Sequence, residues 1–93
     1  MKIEHLKVDH KGSFKALEKG QYIGEMTYVF AGEKQFIIDH TEVKEDFKGQ
    51  GVGLKMVLSA VEYARKNHLK ILPLCPFAKS VFDKRVEIQD VLS

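Results

Sequence analysis

The feature that most constrains this chain is the glycine-rich stretch Lys48-Gly49-Gln50-Gly51-Val52-Gly53, which separates a β-rich first half from a strongly helical segment. Glycines at alternate positions let the backbone turn sharply and approach a ligand that a Cβ atom would keep away. Because a helix is predicted to begin here, its first unpaired amides and the positive end of its dipole converge on the stretch. The stretch therefore predicts a binding site for a phosphate-sized anion.

The length and composition predict one small domain over residues 1–93, with 44% hydrophobic and 30% charged residues, as in ordinary globular proteins. No apolar run is long enough to span a membrane, and no secretory signal follows Met1. The single Cys75 cannot form an internal disulfide. We therefore expect a soluble, cytoplasmic protein. The net charge of +2 is too small to indicate nucleic-acid binding by itself.

The sequence pattern of the first half of the chain predicts four strands in a meander. Runs of β-branched and aromatic residues between Glu4 and Val43 break at Lys11-Gly12, Lys19-Gly20 and Ala31-Gly32. In the third strand, strict alternation places Tyr22 and Tyr28 on one face and Ile23 on the other. The aromatic residues predicted to form core are Tyr22, Tyr28, Phe30 and Phe36.

The sequence pattern of the second half of the chain predicts a helix, a strand and a second helix. Apolar residues recur at helical spacing from Leu54 to Ala64, and Asn67 is placed to close that helix. A short strand over residues 70–74 follows, Pro76 begins a second helix to about Lys84, and a final turn covers residues 88–92. The strands that flank the first helix should be parallel. The expected fold is α/β (α+β), with a mixed, mostly antiparallel sheet, the order β-β-β-β-α-β-α and a short C-terminal helix.

Three familiar phosphate-binding loops do not fit the glycine stretch. A P-loop needs Gly-Lys followed by Ser or Thr, and here Gly53 is followed by Leu54 and Lys55. The dinucleotide fingerprint would require a third glycine at position 54. The RNA-binding GXXG loop fails because Gly49 is followed by Gln50, Gly51 and Val52. A glycine-rich connection that binds no ligand stays open as an alternative.

The segment VKEDFKGQGVG, residues 43–53, resembles the coenzyme A-binding motif of the GNAT superfamily of N-acetyltransferases. That motif has Arg or Gln, two free positions, Gly, a free position, and Gly or Ala after a strand. Lys48 stands where the family has Arg or Gln, so the charge is kept without the forked guanidinium. Residues 40–43 and 72–77 are also similar to one branch of this superfamily, whose small single-domain members are often called YjdJ-like. The Lys11-Gly12 turn stands where larger members carry two helices of the acceptor site.

The resemblance implies acetyl-coenzyme A as the donor co-substrate and an amine as the acceptor. The donor's pyrophosphate is expected on the amides of residues 48–53, and its pantetheine arm beside the end of the fourth strand. The residues implied in cofactor binding are Glu42, Val43, Lys48, Gly49, Gln50, Gly51, Val52 and Gly53.

Cys75 is the first candidate catalytic residue. It precedes Pro76 at the expected amino end of a helix, where the dipole favours a thiolate. The thiol could protonate the departing coenzyme A thiolate, or it could take the acetyl group as a nucleophile. A buried cysteine that packs as a small hydrophobe is the structural alternative.

His40 is the second candidate, as a general base. It lies two residues before Glu42 on the same strand, so the two side chains share a face, and a pair with Cys75 is geometrically possible. A hydrogen-bonded structural histidine is the alternative. His5, His10 and His68 lack the spacing of metal ligands, so they are predicted to be surface residues and no bound metal is expected.

The leading hypothesis is an acetyl-coenzyme A-dependent N-acetyltransferase that acts on a protein, a peptide or an extended small amine. The alternative is a coenzyme A-binding or sensing module that has lost acetyl transfer. A third hypothesis is nucleic-acid binding through Lys48, Lys55 and Lys84.

Overall fold

The computed structural model describes residues 1–93 and contains one five-stranded sheet whose spatial order follows the chain. The strands are β1 (Lys2–Val8), β2 (Lys11–Glu18), β3 (Gln21–Phe30), β4 (Gln35–Val43) and β5 (Lys70–Pro73). The helices are α1 (Val52–Asn67) and α2 (Pro76–Lys84), with short 3-10 helices at Glu45–Phe47 and Val86–Val91. The first four strands pair antiparallel, and β5 pairs parallel to β4. The predicted fold class and element order are confirmed.

Both α-helices lie on one face of the sheet, where α1 contacts every strand and α2 contacts α1. The helix-facing side chains of the strands form the core together with the apolar stripe of α1, as its periodicity predicts. The largest fully buried side chains are Tyr28, Phe14, Phe36, Phe82, Ile23 and Met26. No helix has the length and apolar character needed to cross a membrane.

The opposite face, called here the open face, carries no helix. Its side chains make polar contacts between neighbouring strands. Lys15 Nζ lies 3.7 Å from Glu25 Oε2, and Thr27 Oγ1 donates a hydrogen bond of 2.6 Å to Asp39 Oδ1. Such exposed pairs contribute little stability, so the sheet is held mainly from its helical side.

A β-bulge changes which side chains of β3 reach the core. Ala16 pairs with Gly24 and Leu17 with Tyr22, so Ile23 is an extra residue on β3. Tyr22 is therefore turned to the open face and is 47% exposed, whereas Ile23 is 1% exposed. The prediction of Tyr22 as core is wrong, because the bulge breaks the alternation on which it rested.

The first turn also lies earlier than predicted. The chain reverses at Asp9 and His10, where Asp9 has a φ of 57°, and Gly12 lies within β2. A Cβ atom on Gly12 would lie 2.6 Å from the hydroxyl oxygen of Tyr28. Glycine is needed there for close packing and not for a turn. Similarly, the left-handed residue that ends α1 is His68, not Asn67.

His5 is part of an aromatic cluster, so the prediction of a surface residue is wrong. Its ring stacks on Phe14 with centroids 4.2 Å apart, and its Nε2 lies 2.6 Å from the hydroxyl of Tyr28. Burial, assisted by the charge of Lys7, lowers the pKa of His5. Burial also raises the pKa of Tyr28, so the phenol stays protonated and can donate to a neutral His5.

This arrangement predicts a stability that depends on His5. Because its folded pKa lies below the ordinary value of 6.5, the unfolded chain binds the proton more readily. The contribution of His5 is therefore complete above that value and is lost as the pH falls below it. Urea denaturation between pH 7.5 and 5 should show a steeper loss of stability in the wild type than in His5→Gln. A matched His10→Gln variant should keep the wild-type slope, and an equal slope in all three proteins would contradict the assignment.

Candidate functional site

The site begins where β4 and β5 separate. Their parallel pairing ends at Ile38 and Pro73, and the Ile38 carbonyl then accepts hydrogen bonds from the amides of Leu74 (3.0 Å) and Cys75 (3.1 Å). Beyond Ile38, residues 39–43 of β4 pair with β3 only. Their other edge has unpaired backbone groups that can bind an extended ligand.

A second bulge sets the direction of the side chains along this free part of β4. Tyr28 pairs with Ile38 and Thr27 with His40, so Asp39 is an extra residue. After the bulge, Thr41 pairs with the buried Met26 and faces the helices. His40 has the same orientation as Thr27 and lies on the open face.

A cleft of about 1030 Å³ opens on the helical side beside the free edge of β4. It lies between the end of β4, the glycine-rich stretch and α2. Its lining residues are Thr41, Glu42, Val43, Phe47, Lys48, Gly49, Gly51, Val52, Gly53, Leu54, Phe77, Ser80, Val81, Lys84, Arg85 and Glu87. The residues implied in cofactor binding line this cleft, except Gln50, whose amide Nε2 donates to the Asp46 carbonyl at 3.3 Å.

The glycine stretch turns into α1 through left-handed residues. Gly49 and Gly51 have φ angles of 82° and 79°, which favour glycine. Gly51 precedes the helix without any side-chain cap. The first intrahelical bond is donated by Lys55 to the Gly51 carbonyl, so the amides of residues 52–54 have no backbone acceptor. These free donors at the positive end of α1 fit a phosphate group.

Gly53 permits a close contact between α1 and α2. A Cβ atom at this position would lie 2.5 Å from Cζ of Phe77, whose ring is 41% exposed and forms part of the cleft wall. The ring therefore rests on the backbone of the first turn of α1 and fixes α2 relative to the loop. Phe77 was not among the predicted site residues. A glycine inside a helix is unfavourable, and that was the only signal of this contact.

The charges in the cleft are mixed. Its cations are Lys48, Lys84 and Arg85, and its carboxylates are Glu42 and Glu87. Lys48 Nζ lies 3.7 Å from Oε2 of Glu45, a residue that does not line the cleft. Arg85 Nη1 lies 3.4 Å from Oε2 of Glu87. Because these pairs are exposed, their cations remain available to an anionic ligand.

Cys75 lies at the point where the two strands separate and is 5% exposed. Its Sγ caps α2 by accepting a hydrogen bond of 3.3 Å from the Ala78 amide. The same sulfur lies 3.1 Å from Oγ1 of Thr41, which lines the cleft. Thr41 was not among the predicted site residues, because its side chain reaches Cys75 only through the register of β4.

His40 lies away from this thiol. Its side chain is 64% exposed on the open face, and Nε2 is 3.6 Å from Oε2 of Glu42. The structure therefore brings His40 to Glu42 and Cys75 to Thr41, and the Cys75–His40 pair that the sequence allowed is not formed. The two candidates instead lie on opposite sides of β4. No group of three or more His, Cys, Asp or Glu side chains is arranged to hold a metal ion.

A smaller cleft of about 350 Å³ adjoins the end of β4. It shares Glu42 and Val43 with the larger cleft, and its other lining residues include Lys15, Tyr22 and Glu25 of the open face. The end of β4 is thus accessible from both sides of the sheet.

Comparisons with known proteins agree with this geometry. A family model described as GCN5-related N-acetyl-transferase matches residues 13–91. A solved structure of a GCN5-like N-acetyltransferase candidate from Staphylococcus aureus is 38% identical, with a TM-score of 0.72 over 97% of this chain and 87% of that one. A search of curated proteins gave no match.

Two more distant structures share the fold. The ribosomal-protein-alanine N-acetyltransferase of Brucella melitensis biovar Abortus 2308 is 15% identical, with a TM-score of 0.71 over 81% of this chain and 62% of that one. An aminoglycoside N-acetyltransferase in complex with coenzyme A is 14% identical, with a TM-score of 0.65 over 83% of this chain and 67% of that one. This chain therefore spans about three fifths to two thirds of these two proteins.

The contact between Gly53 and Phe77 leads to a prediction about the cleft wall. Gly53→Ala should destabilise the fold by about 1 kcal/mol, because the overlap of the new methyl group with the Phe77 ring outweighs the higher helix propensity of alanine. Urea denaturation measures this loss. In a Phe77→Ala background the same change should be much less destabilising, and an equal loss in both backgrounds would show that the ring does not cause it.

Proposed function

Because the chain belongs to the GCN5-related N-acetyltransferase family, we propose that it transfers the acetyl group of acetyl-coenzyme A to an amine on a protein, a peptide or an extended small molecule. The observation that carries the proposal is a single cleft lined both by the first turn of α1, with its free amides, and by the unpaired edge of β4. The two structurally similar enzymes that act on a ribosomal protein and on aminoglycosides are consistent with an amine acceptor.

The donor binds in the larger cleft. Its pyrophosphate lies on the amides of residues 49–53, where the helix dipole favours negative charge. The Lys48 amide, which was also predicted to bind it, donates instead to the Glu45 carbonyl at 3.3 Å. Its pantetheine arm runs beside Glu42 and Val43, whose backbone groups have no partner strand on that side. This placement directs the thioester toward the point where β4 and β5 separate, and hence toward Thr41 and Cys75.

The amine approaches from the open face. No helix covers that face, and the smaller cleft gives access to the end of β4 at Glu42. A lysine-like amine has a pKa of about 10.4, so it must lose a proton before it can attack. His40 is placed on this face to accept that proton, with Glu42 beside it to stabilise the resulting imidazolium.

Cys75 acts either as a general acid or as a nucleophile. As a general acid, its thiol gives a proton to the coenzyme A sulfur as the C–N bond forms and the C–S bond breaks. As a nucleophile, its sulfur first takes the acetyl group and releases coenzyme A; the amine then attacks the acylated cysteine and frees the sulfur. In both cases the Thr41 hydroxyl and the Ala78 amide orient Sγ.

The function is tested by acceptor-dependent release of the coenzyme A thiol. The wild type should release thiol when acetyl-coenzyme A and a suitable amine from a panel of peptides, polyamines and small amines are both present. Cys75→Ala and His40→Ala should each slow transfer by about 10²-fold or more, as expected on loss of a general acid or base. Intact-mass measurement without acceptor separates the two roles of Cys75, because only the nucleophile leaves an acetyl adduct on the protein.

Each part of the proposal can be contradicted separately. Binding of coenzyme A by calorimetry without thiol release for any amine would favour a binding module over an enzyme. Full activity of His40→Ala at every pH would remove His40 as the base. Full activity of Cys75→Ala would leave that residue with its structural role at the amino end of α2.

A further inference from the structure

One face of α2 lines the larger cleft along its whole length. Phe77, Ser80, Val81 and Lys84 are spaced as i, i+3, i+4 and i+7, so they form a single stripe of the helix. Phe77 fixes one end of this stripe against Gly53 and the glycine stretch. Lys84 lies seven residues further on, which is roughly 10 Å along the helix axis.

The far end of the stripe is cationic. Lys84 is followed by Arg85, and both line the cleft. Lys84 forms no ion pair with a carboxylate, whereas Lys79, on the same helix but outside the cleft lining, lies 2.9 Å from Asp83. The partner of Arg85 is Glu87, at 3.4 Å in an exposed pair.

The cleft thus has two separate places for negative charge. The first consists of the free amides at the start of α1, together with Lys48. The second consists of Lys84 and Arg85, about two helical turns away along α2. A ligand with one phosphate group would use only one of them, so this arrangement fits a ligand with two separated phosphate groups.

We propose that Lys84 and Arg85 bind the phosphate group on the ribose of coenzyme A and make the domain select coenzyme A over carriers that lack this phosphate. The inference rests on the proposed donor. A phosphate monoester carries a charge between about −1.5 and −2 at neutral pH, more than each oxygen-bridged phosphate of the pyrophosphate. A guanidinium binds such a group with two parallel hydrogen bonds, and the adjacent ammonium adds a point charge.

Calorimetry with coenzyme A and dephospho-coenzyme A at low salt tests the proposal, with no need for turnover. The wild type should bind coenzyme A about tenfold more tightly, the difference expected from two exposed charge contacts. Lys84→Gln and Arg85→Gln should each reduce this preference, and the double variant should bind both ligands equally while keeping the wild-type affinity for dephospho-coenzyme A. Raising the ionic strength should reduce the wild-type preference.

Lys79→Gln is the matched control, because it removes a cation of the same helix that does not line the cleft, and it should keep the wild-type preference. Unfolding in urea verifies that each variant is folded. Equal affinity of the wild type for both ligands would overturn this inference alone, as would an unchanged preference in the double variant. Failure of the wild type to bind either ligand would overturn the proposed donor site as well.

Discussion

The site depends on the separation of β4 from β5 after Ile38. The Ile38 carbonyl accepts hydrogen bonds from the amides of both Leu74 and Cys75, and the next residues of β4 no longer pair with β5. The extra residue Asp39 in β4 lies at the same point. A continuous ladder would have filled both edges of β4 and left no backbone groups for a ligand, and Cys75 would have lain inside the sheet. The interrupted pairing therefore produces the cleft, and the bulge decides which side chains face it.

The bulge also separates the two candidate catalytic groups. Thr41 lines the larger cleft on the helical side, and Cys75 is buried behind it, with Sγ 3.1 Å from the Thr41 hydroxyl. His40 and Glu42 lie on the open face, beside the smaller cleft. In the proposed reaction, donor and acceptor approach this gap from opposite sides of the sheet. A base on the acceptor side and a thiol on the donor side are what acetyl transfer to an amine would use.

Much of this structure could be predicted from local patterns. The helical spacing in α1, the strand–helix–strand unit and the glycine stretch each reflect short-range constraints, so they predicted the elements, the parallel pairing and the position of the loop. The face of the sheet on which each side chain lies was harder to predict. A single extra residue reverses the alternation of a strand, and no residue type marks it, which is why Tyr22 was assigned to the wrong face and a Cys75–His40 pair was allowed. The contacts of Phe77 with Gly53 and of Thr41 with Cys75 join distant segments, and the sequence pattern carries no direct sign of them.

NMR titration of the ¹⁵N-labelled protein with coenzyme A locates the donor site on the folded chain most directly. A donor site where β4 and β5 separate should give saturable shifts in the amides of Gly49, Gly51 and Gly53 and in the free part of β4 at residues 39–43. The amides of β1, none of whose residues lines either cleft, should stay unchanged. Shifts confined to the open face of β1 and β2, or spread without saturation over the surface lysines, would contradict a donor site formed where β4 and β5 separate.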